Sequence, residues 1–319
     1  MDRSATASSH SRDGSGTSKK SYSIQTLLGT FRMPFLLLTP ACVSVGLGCA
    51  LIEQNSIDVL AVILVFLGAL LAHISVNVFN EYDDFTSGLD FTTSRTPFSG
   101  GSGALPAHPQ TARLAHITAW VTLLGSALIG LFFVYQQGYA LIPLGLVGLF
   151  LLVSYTRWWV YHPGLCLLAP GLGFGLVMVQ GTAVALTGSY SVTALVASLC
   201  PTFLVSGLLL LNQFPDVEAD RAVGRNHYPI AKGRKAAARL YAGLLLLAYL
   251  SVLTGIVTDI LPTLSALTLL TAPLALFAAV KVIRTPDHIP ALGPAMAVNV
   301  VISLVTPLLL ATGLWLSIP

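Results

Sequence analysis

The amino-acid sequence predicts an all-α membrane protein, a polytopic bundle of nine transmembrane helices around a central cavity. Of its 319 residues, 55% are hydrophobic and 9% are charged, and the mean hydropathy is +0.80. Soluble domains carry roughly 25% charged residues, so this composition excludes an ordinary soluble enzyme. The net charge of +3 is small and dispersed, which excludes a typical nucleic-acid-binding protein.

The elements follow in order along the chain. Residues 1–22 are rich in Ser, Thr and Gly, contain no apolar run, and are predicted to form a disordered cytoplasmic tail. Residues 23–319 are predicted to form one transmembrane domain. Its nine apolar segments lie at 33–53, 57–81, 112–135, 139–156, 164–187, 190–213, 238–258, 261–283 and 290–317. Each is close to the roughly 20 residues that a membrane-spanning helix requires.

The charges divide the connecting segments into two sets. All sixteen Lys and Arg residues fall on one side of this topology. The other side holds Glu53, Asp58 and Asp259. The positive-inside rule therefore predicts a cytoplasmic N-terminus and a C-terminus on the opposite side. The long cytoplasmic connections, between helices 2 and 3 and between helices 6 and 7, are where a functional site is expected.

A first polar motif lies at the end of the second segment. His73, Asn77, Asn80 and Asp84 are spaced by four, three and four residues, which places them on one stripe of a helix. Such a stripe must face protein or a water-filled cavity, because lipid cannot satisfy its hydrogen bonds. The intervening apolar residues are expected to face lipid: Ile74, Val76, Val78 and Phe79.

A second motif at the end of the sixth segment repeats this pattern. Asn212, Asp216 and Asp220 lie at i, i+4 and i+8, again on one stripe. Both motifs sit on the same side of the membrane. Two carboxylate clusters at close quarters repel each other unless a cation lies between them. Their oxygen ligands, with no accompanying Cys, favour Mg²⁺.

Basic residues follow each motif, Arg95 after the first and Arg225 and Lys232 after the second. Carboxylates, Mg²⁺ and Arg together are typical of a diphosphate-binding site. A diphosphate at a membrane boundary, beside apolar helices, indicates a prenyl diphosphate. For one motif alone, solvated helix caps or pairing with nearby Arg would be an equally good interpretation, but two similar motifs favour the diphosphate site.

These motifs resemble the UbiA-type intramembrane prenyltransferases, which have an Asn-Asp-x-x-Asp first motif and an Asp-x-x-x-Asp second motif on nine helices. The resemblance runs from about Arg32 to the end of the chain. The extended first motif, the second motif and the Ser-Gly-Gly segment after Arg95 are most similar to 1,4-dihydroxy-2-naphthoate polyprenyltransferases. Glu81 departs from the pattern, since the family usually has Asp there.

The resemblance implies a role for each polar residue. The expected metal ligands are Asn80, Glu81, Asp84, Asp90, Asp216 and Asp220, of which Asp84, Asp216 and Asp220 are also expected to be catalytic. The expected substrate-binding residues are Arg95, Asn212, Arg225, Lys232, Arg157 and His73. Among these, Arg95 and Arg225 would bind phosphate oxygens, and His73 would contact the acceptor.

The implied reaction is Mg²⁺-dependent transfer of a polyprenyl group from a prenyl diphosphate to an aromatic acceptor, through an allylic cation, in contact with membrane lipid. The most similar subgroup implies 1,4-dihydroxy-2-naphthoate and menaquinone biosynthesis. Other acceptors stay open: 4-hydroxybenzoate, homogentisate, a chlorin or a glycerol phosphate ether lipid. A secondary transporter is a different class of function. The motifs at helix ends and the odd number of helices argue against it, because transporters often show two similar halves with sites at the midplane.

Overall fold

A computed structural model of the chain describes residues 24–54 and 56–318. Within these ranges the regular secondary structure is helical, with no strand. Eight helices of the described chain are long and apolar enough to cross a membrane, and a ninth apolar helix has 14 residues. The prediction of an all-α polytopic bundle is therefore confirmed. The predicted tail, residues 1–22, lies outside the described residues.

The nine membrane helices are named α1 to α9 in chain order. Their bounds are α1 Leu38–Glu53, α2 Val59–Thr86, α3 Ala112–Gln137, α4 Leu141–Ser154, α5 Pro163–Thr187, α6 Val192–Ala222, α7 Arg234–Val257, α8 Thr263–Arg284 and α9 Ile289–Trp315. A 3₁₀ helix, Met33–Leu37, leads into α1, and the middle of α5 is π-helical over Leu172–Gln180.

Two helices continue well beyond the ends that hydropathy predicts. The second segment was expected to end at residue 81 and the sixth at 213, but α2 continues to Thr86 and α6 to Ala222. With 28 residues, α2 is about 42 Å long at 1.5 Å per residue. A hydrocarbon core is about 30 Å thick, so the last turns of α2 project beyond it. Both motifs are therefore helical and lie where the two helices end, which we call the polar end of the bundle.

The apolar residues of α2 do not all face lipid. Val78 and Phe79 are buried, and they pack in a cluster with Leu105 and Ala115. The expectation that these two residues contact lipid is therefore wrong. The cause is tertiary, since α3 and the short helix Ala104–Ala107 both pack on this face of α2.

Helix α6 forms the centre of the bundle, in contact with α1, α5, α7 and α9. Leu204, Leu210, Leu211 and Phe214 on α6 are fully buried. Close approach of α5 depends on glycine, because a Cβ at Gly175 would lie 2.5 Å from the backbone nitrogen of Thr202. This packing fixes the position of α6, and with it the second motif.

Candidate active site

A cavity of about 960 Å³ begins at the polar end and continues into the bundle. Its polar part is lined by both motifs, and its body is lined mainly by apolar side chains. Its polar lining residues include Arg32, Asn80, Asp84, Asp90, Asn212, Asp216, Asp220, Arg225 and His227. The predicted central cavity is thus present, and the two motifs share it.

Arg225 connects the two acidic motifs. One guanidinium nitrogen, Nη2, donates to Oδ1 of Asp84, and the other, Nη1, donates to Oδ1 of Asp220 at 3.1 Å. The three side chains are 15%, 8% and 6% exposed. Burial by itself would lower the pKa of Arg225, but the two carboxylates outweigh it and raise the pKa above its usual value. The two motifs therefore face each other across a gap that one cationic group spans.

A second arginine, Arg32, enters the site from the segment before α1. Its Nε lies 2.6 Å from Oε1 of Glu81, which is fully buried. Ser102 donates its backbone N–H to the same oxygen at 2.8 Å and its hydroxyl to Oε2 at 2.5 Å. Arg32 has φ 50°, a left-handed conformation that is uncommon for a side chain of this size. Both oxygens of Glu81 are thus engaged by protein groups.

Asp90 lies on the short 3₁₀ helix Leu89–Phe91 after α2, and it is buried. Burial, followed by the charges of Glu81 and Asp84, raises the pKa of Asp90 to about 7. Gly101 packs directly against this carboxylate with φ 70°, and a Cβ there would lie 2.9 Å from Oδ1 of Asp90. The segment after Arg95 can therefore cover the first motif only because it has glycine at this position.

Three buried oxygens of the site have no hydrogen-bond partner within the described chain. They are Oδ2 of Asp90, Oδ1 of Asn212 and Oδ1 of Asp216. A buried acceptor left unsatisfied costs about 1–3 kcal/mol, so these three oxygens are candidate ligands for a bound ion. These are the hard oxygen donors that Mg²⁺ prefers, and they fit this ion. Across residues 24–54 and 56–318, no three His, Cys, Asp or Glu side chains form a ready-made metal cluster.

His227 belongs to the site, although the sequence analysis did not nominate it. Its Nε2 lies 2.9 Å from Oδ2 of Asp220, and its Nδ1 is buried without a partner in the described structure. His227 is 2% exposed and lines the cavity. Its position in the sequence, two residues after Arg225, could have indicated that it belongs to the site. Only the turn that follows α6, however, brings the imidazole back to Asp220.

His73 lies deeper in the cavity than the carboxylates. Its Nδ1 is 2.8 Å from the hydroxyl of Thr39 on α1, and its ring meets that of Phe174 on α5 edge to face, with centroids 4.5 Å apart. Tyr155, from the connection between α4 and α5, also lines the cavity. All three rings therefore line the same cavity as the carboxylates.

Three expected substrate-binding residues lie away from the cavity lining. Arg95 is exposed, donates to the carbonyl oxygen of Asp90 at 2.9 Å, and packs over Gly103. Arg157 is 44% exposed and lies 3.9 Å from Asp83. Lys232 is exposed on the short helix Tyr228–Lys232. The structure thus brings Arg225 to the carboxylates and leaves these three basic side chains outside.

The chain belongs to the UbiA prenyltransferase family, whose model matches residues 38–301. It is also similar to the 1,4-dihydroxy-2-naphthoate octaprenyltransferase of Bacillus subtilis (strain 168), at 27% identity over 231 residues. That match covers 69% of this chain and 71% of the relative.

Solved structures share the fold. A UbiA homologue from Aeropyrum pernix K1 has a TM-score of 0.68 at 17% identity, covering 89% of this chain and 98% of the other. A digeranylgeranylglyceryl phosphate synthase has a TM-score of 0.65 at 19% identity, covering 92% and 99%. A UbiA homologue from Archaeoglobus fulgidus, bound to DMAPP and Mg²⁺, has a TM-score of 0.60 at 12% identity, covering 88% and 98%.

Proposed function

We propose that this protein transfers a polyprenyl group from a prenyl diphosphate to 1,4-dihydroxy-2-naphthoate, in a Mg²⁺-dependent reaction of menaquinone biosynthesis. The observation that carries the proposal is the position of Arg225, which joins both acidic motifs at the mouth of an apolar cavity. The carboxylates at the mouth can bind a cation and Arg225 can bind an anion, while the interior of the cavity is apolar. This combination suits a substrate with a charged head and a long hydrocarbon tail.

The carboxylates and the arginines have complementary tasks in this proposal. Mg²⁺, when bound, would neutralise charge on the leaving diphosphate. The residues that would hold it are Asn80, Asp84, Asp90, Asp216 and Asp220. Arg225 and Arg32 would donate charge-assisted hydrogen bonds to phosphate oxygens, which strengthen as the allylic C–O bond breaks. Arg225 would then exchange part of its pairing with Asp84 and Asp220 for the substrate.

The partners of Glu81 favour a supporting role over direct metal binding. Its two oxygens already accept hydrogen bonds from Arg32 and Ser102. We propose that Glu81 orients the guanidinium of Arg32 and holds the segment around Ser102 over the first motif. The departure from the family pattern at this position would then change how this segment is anchored and leave the metal ligands unaffected.

The apolar body of the cavity would protect the allylic cation from water. Phe174 and Tyr155 line the cavity, and the face of an aromatic ring would stabilise the cation. The electron-rich ring carbon of the acceptor would attack the allylic carbon, and the naphthoate would lose its carboxylate as carbon dioxide. His73, whose ring contacts that of Phe174, is the proposed contact for the acceptor.

The acceptor is the finer part of the proposal. The similarity to the Bacillus subtilis naphthoate octaprenyltransferase supports 1,4-dihydroxy-2-naphthoate. The detergent-purified protein should be incubated with Mg²⁺, geranylgeranyl diphosphate and a panel of acceptors, with diphosphate release and product mass as readouts. We expect product with the naphthoate. Product only with 4-hydroxybenzoate, homogentisate, a chlorin or a glycerol phosphate ether lipid would refute the acceptor, and no product with any of them would refute the reaction.

Asp216→Asn tests the second motif, and Glu218→Gln on the same helix is its matched control. Glu218 is 69% exposed and pairs with Arg221, so neutralising it should leave turnover unchanged. Asp216→Asn, like Asp84→Asn, should abolish turnover while the thermal unfolding temperature in detergent stays close to that of the wild type. Removal of Mg²⁺ with EDTA should stop the reaction reversibly. Full activity of either Asp variant would contradict the assignment.

The chain is an integral membrane protein, and we propose that its polar end faces the cytoplasm. The support is the position of all sixteen Lys and Arg residues in segments assigned to that side. A reporter enzyme that is active only outside the cytoplasm, fused after residue 319, should be active. An inactive C-terminal fusion together with an active N-terminal fusion would reverse the orientation.

A further inference from the structure

The connection between α4 and α5, residues 155–162, is held against the end of α2, and we call it the α4–α5 loop. Thr156 donates a hydrogen bond from its hydroxyl to Oδ2 of Asp83. Thr156 is 7% exposed, so water has little access to this contact. Asp84 lines the cavity, whereas Asp83 and Thr156 lie outside its lining. Two neighbouring carboxylates therefore have different partners, since Asp84 faces the cavity and Asp83 faces the loop.

The other end of the α4–α5 loop is bonded to the segment that follows α6. The backbone N–H of Asn226 donates to the carbonyl oxygen of Val160 at 3.0 Å. Val160 is buried and lines the cavity, and Asn226 directly follows Arg225 in the chain. The loop thus links the residue before Asp84 to the residue after Arg225, which are the two side chains that pair across the site.

This link is separate from the direct pair between Arg225 and Asp84. In the proposed reaction, Arg225 exchanges part of that pairing for phosphate oxygens, so the ends of α2 and α6 lose part of the attraction that holds them together. The hydrogen bonds of Thr156 and Asn226 use groups outside the polar lining of the cavity, and the diphosphate does not compete for them. The loop can therefore hold the two helix ends together while substrate is bound.

We propose that Asp83 and Thr156 are positioning residues, whose hydrogen bond attaches the α4–α5 loop to α2 so that the loop fixes the spacing between the two acidic motifs. This inference rests on the proposed prenyl transfer. Arg157, the next residue of the loop, lies 3.9 Å from Oδ2 of Asp83 and adds to the same attachment. Asp83 then serves the site without contacting Mg²⁺ or the substrate.

Cys166, near the start of α5, provides a readout of the loop that does not depend on turnover. Its sulfur lies 4.0 Å from the hydroxyl of Tyr155, the first residue of the loop, and accepts a hydrogen bond from Nε2 of Gln213 at 3.3 Å. Cys166 is 1% exposed. When the loop detaches from α2, Tyr155 moves away from the sulfur and a maleimide can reach it. The other cysteines are fully buried outside the cavity lining, and they report unfolding of the bundle: Cys42, Cys49 and Cys200.

Thr156→Val removes the hydroxyl and keeps the shape of the side chain, while Thr156→Ser keeps the hydroxyl. Loss of a hydrogen bond to a charged group shifts an equilibrium about tenfold or more, so Cys166 of Thr156→Val should react about tenfold faster than in the wild type. The rate is measured by mass spectrometry of the labelled peptides, and Thr156→Ser should stay close to the wild type. Thr258→Val is the matched control, because Thr258 is exposed at the other end of α7 and its hydroxyl bonds only to carbonyl oxygens of its own helix.

A double-mutant cycle tests whether Asp83 and Thr156 act as a pair. Asp83→Ala should raise the reactivity of Cys166 as Thr156→Val does. The combined variant should react no faster than either single variant, because the same hydrogen bond is already absent. Effects that multiply in the combined variant would contradict the pairing.

The positioning role also predicts a specific kinetic change. When only a fraction of molecules has the correct spacing, the apparent KM for the prenyl diphosphate rises by the inverse of that fraction, and kcat at saturation is retained. Thr156→Val should therefore raise the KM for geranylgeranyl diphosphate severalfold with kcat within about twofold, and Thr156→Ser should return KM to near the wild-type value. A purely structural role would reduce the amount of active protein, which lowers kcat and leaves KM unchanged.

The outcomes separate this inference from the proposed function. Unchanged reactivity of Cys166 in Thr156→Val, or a rise that Thr258→Val shares, would overturn the attachment. Faster labelling of all four cysteines would overturn the local role, and faster labelling of Cys166 with an unchanged KM would overturn the positioning role. An active wild type leaves the prenyl transfer standing in each of these cases. A wild type that releases no diphosphate would refute the proposed function, while the labelling rates would still test the attachment.

Discussion

Arg225 is the residue whose replacement tests the site most directly. It is the one side chain seen to contact carboxylates of both motifs in the described structure, and it is 15% exposed. Arg225→Gln removes the charge and keeps a similar length. Asp84 and Asp220 then lose their common cation, and in the proposed reaction the leaving diphosphate would lose a charge-assisted donor.

The expected loss follows from those contacts. Removing one preorganised donor to a developing oxyanion costs about 2.7–4 kcal/mol, which is about 10²–10³-fold in kcat. The effect should fall mainly on kcat, because the added charge on the phosphate oxygens appears as the C–O bond breaks. Arg225→Lys should be intermediate, since an ammonium group keeps the charge but cannot bridge both carboxylates with a planar fork.

Arg221→Gln is the matched control. Arg221 lies four residues earlier and pairs with Glu218 at 2.8 Å, with side chains 54% and 69% exposed. Such surface pairs contribute about 0–1 kcal/mol, so this variant should behave like the wild type. Turnover is measured as diphosphate release, with thermal unfolding in detergent to verify the fold. Equal kcat for a folded Arg225→Gln and Arg221→Gln would refute the bridging role.

Three further predictions concern the surroundings of Arg225. Glu81→Gln should lower the thermal unfolding temperature, because it leaves the Arg32 guanidinium without its buried counter-charge. Glu81→Asp should lower it less. An unchanged unfolding temperature in both variants would contradict the ion pair. Because the pKa of Asp90 is about 7, this carboxyl gains charge as the pH rises from about 6 to about 8, so less Mg²⁺ should be needed for half-maximal activity at the higher pH. Asp90→Asn should remove that dependence, and its persistence would exclude Asp90 as the cause. His227→Ala should lower activity about 10–100-fold by releasing Asp220, and His227→Gln should restore part of it; wild-type activity in His227→Ala would exclude this role.

The positions of the membrane helices could be predicted from sequence, because an apolar run must be about as long as the bilayer is thick. The ends of α2 and α6 could not, because hydropathy marks only the part of a helix that lies in lipid. The polar last turns, up to Thr86 and Ala222, are helical because backbone hydrogen bonding continues beyond the hydrocarbon core. The burial of Phe79 could not be predicted from the sequence either, since it depends on where α3 packs.

The candidate site divides in the same way. Helical spacing alone placed Asp84 and Asp220 each on a polar stripe, and the matching motifs indicated a shared cation. The choice among the basic residues needed the structure. Arg225 turns inward from the end of α6, while Arg95 packs over Gly103 outside the lining. Sequence distance from a motif does not predict this, because the direction of a loop side chain depends on the path of the loop.

By itself, the sequence determined the class of protein, the approximate positions of its apolar helices and the chemistry available at their ends. These are local properties. The composition determines whether the chain folds in water or in a membrane, and the helical period of 3.6 residues determines which side chains share a helix face. Only the tertiary structure decided that Arg225 joins the two motifs, that Arg32 and Ser102 engage Glu81, and that the α4–α5 loop contacts both α2 and the segment after α6. Those features are contacts between distant segments, which form when α6 and its neighbours pack together, and no local pattern encodes them.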